Sequence, residues 1–102
     1  MKEYDIFIPL FLNDGSPIGP RVLRVLQDRL LKQFGGLTYF PQPNEGLWRM
    51  GDVTYHDQIV IFRVLASKVR VARRFLAALK EELKRDLDQE EILIIERDIE
   101  TL

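Results

Sequence analysis

Six apolar residues, Val69, Ala72, Leu76, Leu79, Leu83 and Leu87, recur at steps of three, four and seven residues and restrict this chain more than any other feature. Such spacing puts one stripe on one side of a helix. Arg70, Arg74, Glu81 and Arg85 fall on the other side, with Glu81 and Arg85 spaced for an i,i+4 ion pair. Ser67, just upstream, suits an N-cap because its hydroxyl can accept from a free backbone N–H. A second stripe, Leu23, Leu26, Leu30 and Phe34 with Val22 alongside, opposes Arg21, Arg24, Asp28 and Lys32. Pro20 fits its first turn, and Gly35 the left-handed position that ends it. Each stripe needs an apolar surface to lie on, and the segments between the helices supply it.

Those segments read as strands. Tyr4 to Leu12 is rich in β-branched and aromatic residues and stops at the turn cluster Asn13-Asp14-Gly15-Ser16-Pro17. Leu37 to Pro41 reads as a short second strand closed by Pro41 and Pro43. Val53 to Ala66 is strand-like, most strongly over Ile59–Leu65, and Ile92 to Ile95 continues towards Ile99 as the last strand. An extra short hairpin over 46–55, turning at Gly51, fits between the second and third. The order strand, helix, strand, strand, helix, strand with right-handed crossovers predicts an α+β, ferredoxin-like βαββαβ fold. In it two helices lie on one face of an antiparallel four-stranded sheet. The first and third strands are central, the second and fourth at the edges. One hundred and two residues suit one such domain, spanning 1–102.

The strands alternate poorly. Ile6, Ile8 and Leu10 oppose Phe7 and Phe11; Ile59, Ile61 and Leu65 oppose Val60, Phe62 and Val64; Leu93 and Ile95 oppose Ile92 and Ile94. A sheet with water on one face should alternate apolar and polar residues. Two helices cover one face only, so the other calls for a cover, and a second copy packed face to face supplies it. The expectation is a homodimer through the open sheet face, against the plainer alternative that residues 43–57 fold back over it.

Composition narrows function by exclusion. Fifteen Lys+Arg against sixteen Asp+Glu give a net charge of −1, which argues against general attraction to nucleic acid or to an anionic membrane. The aromatic strand signature of RNA-recognition domains, which share this topology, is missing from Tyr4–Phe11 and Ile59–Leu65. There is no cysteine, hence no thiol nucleophile or Cys-based metal site, and one His with no carboxylates at ligand spacing gives no metal site. No apolar run approaches the ~20 residues of a spanning helix, and acids at Glu3 and Asp5 speak against a secretory signal. A cytoplasmic location is the default.

The stretch from Gly35 to Phe62 holds the only Trp, the only His and two of the three Tyr residues. Trp48 and Arg49 could line a pocket as indole wall and anion clamp, with Tyr39 and Tyr55 beside them; packing over a sheet edge, with Arg49 paired to an acid such as Asp52 or Glu45, is the plainer and favoured explanation. His56 is the natural general base or ligand by its near-neutral titration, yet its neighbours Tyr55 and Asp57 point away from it on a strand. Arg70, Arg73 and Arg74 sit at the end of the second helix that favours anions, which suggests an anion site or else a solvated face paired with acids. Ser16 and Ser67 sit where turn and cap chemistry explains them.

GGLTYFP, then GLWR, then DQIVIFRV leading into a helix resemble small uncharacterised bacterial ferredoxin-like proteins, in which a Gly-Leu-Thr segment precedes a Gly-x-Trp-Arg segment. The likeness runs from Gly36 onward and implies the fold, since those proteins have no assigned chemistry. The topology is also similar to the dimeric α/β-barrel group of small monooxygenases, haem-degrading enzymes and binding modules. The leading expectation is a homodimeric small-ligand or partner-binding module without a catalytic signature, using Trp48, Arg49, Tyr55 and Tyr39. The runner-up is a barrel-type enzyme, monooxygenase-like or haem-related, that uses His56.

Overall fold

In the computed structural model, which describes all residues from Met1 to Leu102, the elements follow the expected order: β1 (Lys2–Pro9), α1 (Pro20–Phe34), β2 (Thr38–Met50), β3 (Val53–Ala66), α2 (Val69–Asp86) and β4 (Ile94–Asp98). The strands form one antiparallel sheet in the order β2-β3-β1-β4, so the first and third are central. This is the α+β, ferredoxin-like βαββαβ arrangement. Both leucine stripes face the sheet: Leu26 and Leu30 of α1 and Ala72, Leu76, Leu79 and Leu83 of α2 are buried against Tyr4, Ile6, Ile8, Val60, Phe62 and Val64. Gly35 ends α1 in the left-handed region at φ 77°, its N–H donating to the Leu31 carbonyl. No helix is long and apolar enough to cross a membrane.

Several local expectations are corrected. The second strand does not close at its prolines; β2 runs on to Met50 through Pro41 and Pro43. An edge strand tolerates proline, because half of its N–H groups have no partner in the sheet, and the register slips between Phe40 and Asn44 where the two prolines fall. The hairpin expected at 46–55 is therefore the far end of one long β2–β3 ladder. It does turn at Gly51, whose φ of 64° suits the first position of a two-residue hairpin turn. Residues 43–57 thus continue the sheet instead of forming a separate layer. Ser67 does not cap α2: Lys68 stands at the cap position, with no side-chain hydrogen bond to the helix. Glu81 pairs with Lys84 at i+3, one residue short of Arg85. β1 ends at Pro9, and β4 begins at Ile94, although Ile92 is still buried in the core.

On the open face the register brings Glu3, Asp5, Arg63 and Arg97 together. The Arg63 guanidinium donates to both Asp5 oxygens at 2.8 and 3.0 Å, and Arg97 adds a third bond at 2.8 Å. The Arg63 bonds, joined by those of Arg97 and opposed by burial, hold the Asp5 carboxyl below the usual carboxylate range. Around this cluster Phe7, Phe40, Ile59, Ile61 and Ile95 are half-buried, and the Arg63 guanidinium lies 5.0 Å from the Phe40 ring centre.

Candidate functional site

The candidate site lies where β1 leaves the sheet. Pro9 pairs with Ile59, and beyond that point β3 continues outward beside β2 alone. The β1–α1 loop stays close: Leu10 N–H donates to the Gln58 carbonyl at 2.9 Å. The loop then closes on itself through Leu12 N–H to Ser16 O, with Gly15 at φ 87°. Asp14 accepts from both the Ser16 N–H and its hydroxyl, which lowers the Asp14 pKa. Asn13 reaches across to the Asp88 carbonyl and ties the loop to the chain beyond α2. Between this loop and the hairpin is an open cleft of about 750 Å³. Pro9, Phe11, Leu12, Asn13 and Gly15 form one side; Pro43–Glu45 and Tyr55–Gln58 form the other.

Three features give the cleft its chemistry. Trp48 and Tyr55 stack across the two strands, ring centres 4.6 Å apart and planes 20° from parallel, and extend the hairpin wall outward from the cleft. The Trp48 indole N–H donates to Asp57 Oδ2 at 2.8 Å, which orients that carboxylate and leaves Oδ1 without a protein partner. On the other face of the hairpin, His56 Nδ1–H donates to Glu45 Oε1 at 3.2 Å. The ladder adds a fourth. Because Gln58 turns its carbonyl towards the loop, the two-residue alternation of an antiparallel strand turns the N–H and C=O of His56 to the same side. The free edge of β3 thus offers a backbone donor and acceptor into the cleft. No group of three or more His, Asp or Glu side chains is arranged to hold a metal ion.

The residues singled out in the sequence are dispersed. His56 and Tyr55 line the cleft, and Trp48 stacks on Tyr55. Tyr39 lies elsewhere, stacked on Phe62 at 4.6 Å against the core. Arg49 sits near the hairpin tip opposite Thr54, outside the cleft and without an ion pair to Asp52 or Glu45. Arg73 is taken by Glu96 through two bonds of 2.7 and 2.8 Å; Arg70 and Arg74 are exposed beside it. That pairing, with the Tyr4 hydroxyl as a further donor, pulls Glu96 down to about 2. Sequence reasoning placed Asp57 beside His56, Phe11 in the first strand and Asn13 in a turn, and gave none of them a part in this cleft. The only signal for them was indirect: an apolar Phe11 beyond the Pro9 break, in a loop otherwise made of turn residues.

No protein-family model matches this chain, and no curated protein matches it. Two solved structures share its fold. A phage SAM lyase in complex with S-methyl-5′-thioadenosine aligns with a TM-score of 0.68 and 15% identity, over 95% of this chain and 80% of that one. The phage SAM lyase in its apo state aligns at 0.66 and 17%, over 94% and 78%. The likeness in fold is thus to these lyases. It corrects the expectation of a binding module without a catalytic signature, and equally the monooxygenase-like or haem-related alternative: this arrangement of strands and helices carries a lyase in both solved structures. The missing signature in the sequence is no argument for a non-enzyme, since fold and chemistry are set by different residues.

Proposed function

We propose that this chain cleaves S-adenosylmethionine in the cleft between the β2–β3 hairpin and the β1–α1 loop, releasing 5′-methylthioadenosine. The observation that supports this most is the alignment of 95% of the chain with a lyase holding that thioadenosine. The cleft agrees with it chemically. Phe11 and Tyr55 offer aromatic faces for an adenine ring, and the free N–H and C=O of His56 match the donor–acceptor edge of that base. Asn13, Asn44 and Gln58 supply neutral polar groups for ribose hydroxyls.

The substrate brings most of the reactivity. Its sulfur carries a permanent positive charge, so the Cγ–S bond breaks with the electron pair going to sulfur and a neutral thioether leaves without acid assistance. The four-carbon remainder balances in one of two ways: it loses a Cβ proton to a base, or its own carboxylate closes on Cγ. His56, held by Glu45, is the candidate base in the first case; in the second the site only folds and positions the substrate. The test is incubation of purified protein with S-adenosylmethionine and chromatography of the products against a protein-free control. 5′-Methylthioadenosine above background is expected. None above the control, at protein equimolar with substrate, overturns the reading. The second product, an unsaturated amino acid or a lactone, assigns the role of His56.

We also propose that a second copy covers the open sheet face, as in the dimeric α/β barrels. Phe7, Phe40, Ile59, Ile61 and Ile95 leave an apolar surface there around the Asp5 cluster, and the hairpin projects beyond the helices, where a two-stranded ladder has little support of its own. Sedimentation at micromolar concentration decides it; a 12.0 kDa species sinks the dimer.

A further inference from the structure

Resting on the lyase reading above, we infer that Asn13 is a positioning residue: its bond to the Asp88 carbonyl sets the orientation of the β1–α1 loop, and with it Phe11 on the cleft wall. The loop from Leu10 to Ile18 holds together as one unit. Phe11 and Pro17 form an antiparallel bridge, Leu12 N–H donates to the Ser16 carbonyl at 2.8 Å, and Ile18 N–H donates to the Leu10 carbonyl at 2.8 Å. Its root is fixed by the Leu10–Gln58 bond and by the packing of Leu10, Leu12 and Ile18 against the core. Its tip, Asn13-Asp14-Gly15, is exposed and makes one hydrogen bond to the rest of the chain, from Asn13 Nδ2 to the Asp88 carbonyl at 2.6 Å. A root alone lets such a unit tilt; a second point of attachment stops it.

The acceptor is aimed by the end of α2. Gln89 N–H donates to the Lys84 carbonyl at 2.9 Å and Asp88 N–H to the Arg85 carbonyl at 3.3 Å, which is the Schellman pattern. Asp88 takes the left-handed position of that motif at φ 50°, and Leu87 before it is buried in the core. A helix seated by Leu76, Leu79, Leu83 and Leu87 thus holds one wall of the cleft through a single amide. A wall already in place binds a ligand without the cost of ordering it. A wall that tilts is competent for part of the time, and apparent affinity falls by that fraction. Phe11 would face the adenine that substrate and product share, so the loss falls on the binding of both and on KM, with kcat spared. Asn13 Oδ1 is also free to meet a ribose hydroxyl, but that contact would serve nucleosides only, whereas a positioned wall serves the bare base as well.

The test titrates adenine and 5′-methylthioadenosine by calorimetry into the wild-type chain, Asn13→Ala and Asn13→Asp. Asn13→Ala should weaken both ligands by the same factor, roughly fivefold, the size of one net hydrogen bond. Asn13→Asp keeps the shape and the free oxygen but has no N–H for the Asp88 carbonyl, so it should show the same loss. Leu10 and Leu12 still pack in both variants, and their thermal midpoints should stay close to that of the wild-type chain. In turnover of S-adenosylmethionine, Asn13→Ala should raise KM and leave kcat unchanged. In a Phe11→Ala background the Asn13 substitution should add little, because the ring that the loop positions is gone. A loss confined to the nucleoside, wild-type binding by Asn13→Asp, or losses at Phe11 and Asn13 that simply add overturns the inference and leaves the lyase reading standing. If the wild-type chain binds neither adenine nor 5′-methylthioadenosine, the lyase reading itself fails and the positioning role with it.

Discussion

Beneath the helices, Tyr4, Ile6, Ile8, Val60, Phe62 and Val64 are at most 2% exposed, whereas on the opposite face of the same strands Phe7, Ile59 and Ile61 remain half in water and Leu65 is 41% exposed. The faces differ in composition too, since Glu3, Asp5, Arg63 and Arg97 interrupt the open one, but Phe7, Ile59, Ile61 and Leu65 keep part of it apolar. On the covered face apolar residues are explained by packing alone, since removing them from water stabilises the fold. On the open face, and along the hairpin where Trp48 and Tyr55 are 43% and 42% exposed, folding of this chain gains little from them. Such residues call for a second explanation, a partner or a ligand, and the two faces can be separated by substitution.

The largest effect is expected from adjacent residues that point opposite ways. Phe62→Ala empties a fully buried site stacked on Tyr39 and should cost about 3–5 kcal/mol in chemical denaturation. Ile61→Ala, on the open face, should cost about 1 kcal/mol at low protein concentration. If a second copy covers that face, the Ile61 cost should rise with protein concentration and the Phe62 cost should not. Equal costs at every concentration would erase the distinction between the faces.

Asp5 comes next, because it is the buried charge of the open face. Asp5→Asn leaves Arg63 and Arg97 facing a neutral amide and should cost about 2–3 kcal/mol at pH 7. Its pKa is depressed in the folded chain, so its contribution is present above the unfolded value of about 4 and is lost as pH falls through the lower folded value. The wild-type chain should therefore lose stability more steeply than Asp5→Asn below pH 4; parallel acid limbs would remove the cluster from the account.

Trp48→Ala tests the hairpin in the opposite sense. Stability should change by less than about 1 kcal/mol, since the indole is exposed, while adenosyl-ligand affinity should fall roughly tenfold, as lost stacking and a released Asp57 together imply. A large loss of stability without a change in affinity would make Trp48 a packing residue and return the hairpin to the structural side of the comparison.

The covered half of the molecule was legible in the sequence for the same reason that it is stable. Its stripes at Leu26, Leu30, Leu76, Leu79 and Leu83 follow the helical period, and Gly35 and Pro20 mark a helix end and a helix start through local backbone chemistry. The site was legible only in pieces. Tyr55, His56 and Trp48 stood out by residue type, but Asp57 and Glu45 are ordinary acids until the ladder sets one beside the indole and the other beside the imidazole. The long β2 was hidden because a proline normally ends a strand, and only its edge position, a property of the whole sheet, permits it. Register across strands joins residues that sequence spacing keeps apart. The Arg73–Glu96 pair, which takes one cation away from the expected anion site, is of that kind too.

The smallest effect at neutral pH belongs to Tyr4, the one core residue of the covered face whose polar tip leaves the apolar layer. Its ring is buried and its hydroxyl donates to Glu96 at 2.8 Å, beside the two bonds from Arg73. Tyr4→Phe should cost about 1 kcal/mol at pH 7, because Glu96 keeps its guanidinium partner and the ring keeps its packing. Alkali amplifies the difference. Burial first, and then the Glu96 carboxylate, push the Tyr4 phenol up to about 12 in the folded chain from an ordinary value near 10. A group whose folded pKa is raised contributes its full stability below the unfolded value and loses it as pH rises through the folded one. Between pH 10 and 12 the wild-type chain should therefore lose stability that Tyr4→Phe does not, and the two denaturation midpoints should converge. Midpoints that stay parallel across that range would mean the phenol ionises as freely in the folded chain as in the unfolded one, and the covered face would then be less closed at the β1–β4 edge than at its centre.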